Sequence, residues 1–209
     1  MRIAFIGSSD LATLAAHHAE QIGYDIVGYF DDFKPVGVTD NGLRILGKLN
    51  DVKGQFGQGQ FDGVFIAIGY NFMDFRKSVY EQMVNDDIPI LSIISKSTFV
   101  DASVKLGNGC FLLPGVTIDA NTVLRNNIVL NTGATVAHDC RIDDHCFLGP
   151  GVKLAGFVNI GEQSFIGIGS ILIDNLTICP KTQTGGGTVI IRSTEKPGLY
   201  LGVPGMFKR

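Results

Sequence analysis

The sequence predicts two architectures in series, an α/β domain followed by an all-β parallel β-helix, and three observations predict them. Apolar segments in the first 95 residues alternate between strand and helix spacing, and from Val100 to Val189 the chain keeps an unbroken period of six. Glycine, 27 of 209 residues, is scattered singly through aliphatic sequence at nearly twice its usual share of about 7%. Glycines so spaced belong to regular tight corners, not to a flexible linker. With 45% hydrophobic and 18% charged residues, a chain of this length buries roughly 70% of its unfolded surface, which excludes intrinsic disorder.

Composition removes several function classes. The net charge is −3 and no Lys/Arg-rich run occurs, so electrostatic capture of nucleic acid has little to work with. No apolar run approaches the length of a membrane span. The apolar start Ile3-Ala4-Phe5-Ile6 stops at Gly7-Ser8-Ser9-Asp10, too short for a signal-peptide core, so a cytoplasmic location is expected.

In the first part, Arg2–Ile6 reads as a strand, Gly7-Ser8-Ser9-Asp10 as a turn, Leu11–Ile22 as a helix and Asp25–Phe30 as a second strand ending in Asp31-Asp32. That is a β-α-β unit. Phe61–Ile68 reads as a further strand running into Gly69, Met73–Val84 as a helix and Ile90–Ile94 as another strand. Together they predict a small parallel sheet with helices, Rossmann-like in style. Residues 1–95 carry 7 basic and 12 acidic groups and residues 96–209 carry 10 and 8, a shift that places the domain boundary near Ser95.

Cut into hexads, Val100 to Val189 gives fifteen with no insertion, and fourteen first positions are aliphatic. Fifth positions are mostly small or β-branched, while second to fourth positions collect Gly, Asp and Asn. This is one short strand and one corner per hexad, three hexads to a triangular turn, five coils in all. No hexad buries its aliphatic side chain alone, so stability comes from neighbouring coils.

Candidate chemistry is sparse. Gly7-Ser8-Ser9 between strand and helix suits an anion, because helix-start N–H groups are free to bind it; an ordinary strand-to-helix turn with a Ser or Asp cap explains the same residues. Asp31-Asp32, at the C-terminal end of the second strand, sits where α/β sheets hold the ribose or base of a nucleotide. Of four histidines, His17 and His18 are expected on the surface of the first helix, and His145 at a surface or interface. His138 takes the third position of its hexad, pointing away from the core, and Asp139 beside it can orient an imidazole as a general base. Cys110, Cys140 and Cys146 fall on fifth positions and read as reduced core fillers. No C-x₂-C pair occurs and the hexad region holds only two histidines, so no metal is expected.

These residues resemble a family. Asp31-Asp32-Phe33-Lys34, Phe65-Ile66-Ala67-Ile68-Gly69, the Leu130–Cys140 stretch, Leu154-Ala155-Gly156, Gly185-Gly186-Gly187 and Gly202-Val203-Pro204-Gly205 are similar to the bacterial nucleotide-sugar 4-amino N-acetyltransferases of the hexapeptide acyltransferase superfamily, of the bacillosamine-pathway and sialic-acid-cluster type. The resemblance covers nearly the whole chain. It implies a left-handed β-helix, acetyl-CoA as co-substrate, a nucleotide-linked amino sugar as acceptor, and a homotrimer with active sites between subunits. By position it assigns nucleotide-sugar binding to Gly7, Ser8, Ser9, Asp10, Leu11, Asp31, Asp32, Lys34, Gly69 and Asn131. It makes His138 the general base with Asp139 its acidic neighbour, and lays acetyl-CoA near Phe147, Ile168, Gly186 and Gly187. Asp10-Leu11 departs from the family's usual Gly-His. Phe147 stands where some members have a histidine, so only its backbone N–H could bond the thioester. The expected reaction is direct transfer without a covalent enzyme intermediate. The alternatives are O-acetylation, transfer of a longer acyl chain, a non-catalytic nucleotide-sugar-binding scaffold, and metal-dependent hydration of CO₂.

Overall fold

The computed structural model describes residues 1–208, which form two compact units, Met1–Ile94 and a second beginning at Ser95. The first opens with β1 (Arg2–Ile6), α1 (Asp10–Gln21) and β2 (Asp25–Phe30). It continues through β3 (Thr39–Asp40), β4 (Leu43–Gly47), α2 (Val52–Gly57), β5 (Gly63–Ile66) and α3 (Met73–Asn85). The sheet order is β3-β4-β2-β1-β5, parallel throughout except for the β3–β4 hairpin. Central β1 has no polar side: Ile3, Ala4, Phe5 and Ile6 are all buried, as expected of a parallel strand covered on both faces. Ala12, Ala15, Ala16 and Ala19 are the buried apolar face of α1, and their small side chains let a helix approach closely.

The structure adds one element to this unit and corrects two expectations. A hairpin, β3–β4, stands where no element was expected. Its turn is Asn41-Gly42, with φ of 49° and 81°, the left-handed pair that a two-residue hairpin favours. The strand expected over Ile90–Ile94 is broken into a single bridge from Ile90 to Val64 and a two-residue strand at Ile93–Ile94; Pro89, which has no N–H, precedes it. His18 is buried, not on the surface, and burial lowers its pKa, with the neighbouring His17 adding to the effect.

The second unit is built on the hexads. Its strands are mostly two residues long and recur every six, as at Val129–Leu130, Thr135–Val136 and Arg141–Ile142. Each pairs in parallel with the strand eighteen residues on, as in Thr117↔Thr135 and Thr135↔Lys153. The repeat runs one strand past the fifteen hexads, to Val189–Ile190. Gly198–Leu201 then adds in parallel to Thr182–Thr184, and Met206–Lys208 closes that edge antiparallel.

First-position aliphatics from Leu112 to Ile178 are at most 2% exposed, one column per face. Fifth-position side chains are buried beside them and serve a second purpose. Cys110, Thr122, Cys140, Cys146 and Ser170 each donate a thiol or hydroxyl hydrogen to the carbonyl fifteen residues ahead, at 2.9–3.3 Å. That satisfies a corner carbonyl of the next coil, which burial would otherwise make costly. The cysteines are therefore structural, and burial pushes the Cys140 thiol up.

Fourth positions turn the corners in the left-handed region. One column is all glycine, Gly115, Gly133, Gly151, Gly169 and Gly187, at φ of 65° to 72°. A second is Asn121, Asp139, Phe157 and Asn175, and a third includes Asn127, His145, Gln163 and Lys181. In the third, His145 is buried within the chain with its Nδ1 2.9 Å from Asn127 Nδ2, where a surface or interface position was expected. Among the described residues no helix is long and apolar enough to cross a membrane.

The stacked aliphatics make a direct prediction. Leu130→Ala opens a cavity in a column with no room to collapse and is expected to cost about 2–5 kcal/mol, read as a lowered denaturation midpoint; a change under about 0.5 kcal/mol would contradict the stacking argument.

Candidate active site

In the first unit the ends of β1, β2 and β5 converge on a cavity of about 330 Å³. Gly7, Ser8 and Ser9 line it from the β1–α1 turn, Asp31, Asp32 and Phe33 from the end of β2, and Gly69 from beyond β5. Gly7 is required there. Its φ is 94°, and a Cβ on it would lie 3.0 Å from the Ala67 carbonyl oxygen. Ser9 occupies the N-cap position of α1, but its side chain makes no capping bond, so the helix start is left unsatisfied by its own side chains.

Asp31 braces the cavity from behind. Ser8 donates its N–H and Oγ–H to one carboxylate oxygen at 3.2 and 2.6 Å, and the N–H groups of Phe33 and Lys34 donate to the other at 2.8 and 3.2 Å. Burial pushes the Asp31 pKa up, but the bonds from Ser8, Phe33 and Lys34, with the Lys34 charge, outweigh it and hold the carboxyl below its usual range. Asp32 is more open: one of its oxygens accepts the Leu49 N–H at 2.9 Å and the residue is exposed. The Lys34 ammonium is turned to the Ser8 carbonyl and to Asp40, away from the cavity lining. Asp10 and Leu11 also lie outside that lining, and Asn131 belongs to the second unit.

Sequence reasoning missed two contributions here. Phe33, Phe72 and Phe75 give the cavity an aromatic rim, with Phe33 91% exposed. An aromatic side chain just past a strand end was the available signal. Lys48 was not singled out either, yet its ammonium donates to the carbonyls of Asp31, Asp32 and Lys34 at 3.1, 2.7 and 2.9 Å, fixing the loop that carries both aspartates.

In the second unit His138 stands on a corner, its side chain 49% exposed, with Nδ1 2.9 Å from Asp139 Oδ2. A carboxylate oxygen at that distance accepts the hydrogen of an Nδ1–H imidazole. Nε2, which has no protein hydrogen bond among the described residues, then presents its lone pair, the arrangement a general base needs. Eighteen residues on, Gly156 stacks on His138: a Cβ there would come within 2.8 Å of Cε1 and 2.9 Å of Nε2. The next corner residue, Phe157, sets its ring perpendicular to the imidazole, at 88° and 5.2 Å between centroids. Neither was predicted to act on His138, although adding eighteen to 138 and 139 finds them both.

The remaining candidates separate. Ile168 is 61% exposed, and a Cβ on Gly186 would lie 3.1 Å from its Cγ2, so Ile168, Gly186 and Gly187 form one surface. Phe147 does not join it through its backbone. Its N–H donates to the Ser164 carbonyl at 3.0 Å and its ring is buried against Phe165, which removes the thioester bond expected of that N–H. Among the described residues no group of three or more His, Cys, Asp or Glu is placed to hold a metal ion.

Parallel coils of hexads carry an imidazole beside a carboxylate on one edge, and comparison with known proteins identifies this architecture as that of an acyltransferase. The family of the PglD N-terminal domain matches residues 2–83. No curated protein sequence matches. Among solved structures, PerB from Caulobacter crescentus in complex with CoA and GDP-perosamine is 30% identical with a TM-score of 0.93, over 100% of this chain and 98% of that one. A variant of the GDP-perosamine N-acetyltransferase of that organism, with alanine in place of one histidine, superposes with a TM-score of 0.94 at 29% identity, over 100% of this chain and 97% of that one. The acetyltransferase domain of PglB from Neisseria gonorrhoeae, in complex with acetyl coenzyme A, is 26% identical with a TM-score of 0.90, over 99% and 98%. The chain belongs to the sugar N-acetyltransferases of the hexapeptide left-handed β-helix family.

The Asp31 brace carries a pH prediction. A carboxylate held below its usual pKa stabilises the fold above about pH 4 and loses that contribution as pH falls through the lowered value. Asp31→Asn is therefore expected to lower the melting temperature at pH 7, with the deficit shrinking as pH approaches 3; an equal deficit at both ends would show the charge is not what matters.

Proposed function

We propose that this enzyme transfers an acetyl group from acetyl-CoA to the 4-amino group of a nucleotide-linked amino-deoxy sugar, with His138 as general base. The observation that carries the reading is the His138–Asp139 pair, exposed on a corner with Nε2 free to take a proton. The amine nitrogen attacks the thioester carbonyl carbon and Nε2 accepts the proton it sheds. The C–S bond then breaks, the proton passes to the departing CoA sulfur, and the amide is left. Backbone N–H groups stabilise the oxyanion that forms on the way.

In this reading residues 1–95 bind the nucleotide and residues 96–209 carry out the transfer. Gly7, Ser8 and Ser9 with the α1 start take the diphosphate. Asp32 and the aromatic rim take ribose and base, Asp31 shapes the loop, Gly69 leaves room beside it, and Asn131 contacts the sugar. Ile168, Gly186 and Gly187 take CoA, the active assembly is a homotrimer with its sites between subunits, and the setting is the cytoplasm, where acetyl-CoA is made. The Caulobacter relatives bound to CoA and GDP-perosamine, one of them with a histidine replaced, and the Neisseria domain bound to acetyl coenzyme A support the choice of both substrates.

His138→Ala is expected to slow turnover by about 10²–10⁴-fold while the oligomer and melting temperature are retained; near-normal turnover refutes the base. UDP, dTDP and GDP, screened with and without acetyl-CoA, are expected to include one that raises the melting temperature by mass action. No consumption of acetyl-CoA with any amino sugar, alongside such a rise, would establish the non-catalytic scaffold instead.

A further inference from the structure

Corner residues of the β-helix share one backbone conformation, so an anomalous side chain at a corner is conspicuous. The other non-glycine corners in the left-handed region are Asn121, Asn127, Asp139, His145, Gln163, Asn175 and Lys181, all polar; Phe157, at φ 60°, is the exception. A bulky apolar residue is poorly suited to that region. Burial does not compensate for it, because Phe157 is 50% exposed. Neither backbone preference nor core packing accounts for a phenylalanine here, and an outlier of this kind, next to a candidate base, points to function.

What the ring touches supplies the function. The eighteen-residue stacking sets Gly156 over His138 and Phe157 over Asp139. Gly156 has no side chain to displace the imidazole, which fills the space where its Cβ would stand. The Phe157 ring packs against the imidazole as well, perpendicular to it in the geometry aromatic pairs prefer. An imidazole half exposed and tied by one bond to Asp139 is otherwise free to rotate about its side chain, which would swing Nε2 away from an incoming amine.

We infer that Phe157 is a positioning residue for the acetyl transfer: with Gly156 it forms a slot that fixes the His138 ring plane and keeps Nε2 aimed at the acceptor. The inference rests on His138 being the base. It assigns Phe157 no contact with either substrate, which gives it a kinetic signature of its own.

The test is a set of variants of the full-length enzyme assayed beside His138→Ala. Phe157→Asn places a side chain that tolerates the corner backbone, so its melting temperature and oligomeric state are expected to be retained or improved. Its kcat is expected to fall about ten- to hundredfold, with KM for both substrates within about twofold. Phe157→Tyr, which keeps the ring, is expected to restore kcat. Phe157→Leu, apolar but without the ring, is expected to lose it and answers the same question should the Asn variant not fold. Unchanged kcat in both the Asn and Leu variants overturns the inference. So does a raised KM at constant kcat, which would make Phe157 a substrate wall, or a loss of oligomer, which would make it an interface residue. If His138→Ala itself keeps its turnover, the base assignment has failed; if that variant is inactive and Phe157→Asn is normal, only the slot has.

Discussion

Parallel pairing of each residue with the one eighteen further on is the constraint from which the second unit follows. A strand of two residues contributes too few hydrogen bonds to stand alone, each worth only about 0.5–1.5 kcal/mol net. Repetition over successive coils turns these weak contacts into a continuous ladder on three faces. The aliphatic columns, the corner columns and the carbonyls met by fifth-position hydroxyls and thiols are all consequences of that one register. So is the site: Asp139, Gly156 and Phe157 surround His138 because they are its neighbour in sequence and the residues one coil further on.

Within this ladder the three edges differ chemically although their backbone does not. The glycine edge presents bare backbone beside Ile168 and Gly186, a surface suited to an extended ligand lying close. The edge with Asn121, Asp139, Phe157 and Asn175 carries the imidazole. The edge with Asn127, His145 and Gln163 is buried over those three residues, with Asn127 and His145 joined side chain to side chain, and opens at Lys181. A fold that fixes its backbone so tightly frees the outward positions of each corner for binding, catalysis or packing. Asp31 shows the opposite economy in the first unit: its carboxylate is given over to holding a loop, leaving Asp32 to face the cavity.

Much of this was legible in the amino-acid order because the period is local. The hexads placed nearly every strand of the second unit, the exposure of His138 and the burial of Cys110, Cys140 and Cys146. What escaped was set by contacts remote in the chain. The burial of His18 depends on what packs over α1, and that of His145 on Asn127 one coil away. The Phe147 N–H is not open to a thioester because the ladder has already claimed it for Ser164. The Asn41-Gly42 pair is a hairpin signal in its own right. The aromatic rim was readable only in part: Phe33 just past β2 was a signal, but Phe72 and Phe75 join it only where the ends of β2 and β5 come together.

A register of eighteen also restricts how such a chain can change in length. Loss of a single hexad would turn everything downstream by a third of a revolution, carrying catalytic side chains onto the wrong edge and breaking every column at once. Loss or gain of a whole coil merely slides them along the prism by one strand spacing, roughly 4.8 Å. Chains built on this register would thus differ in size by quantal steps of one storey.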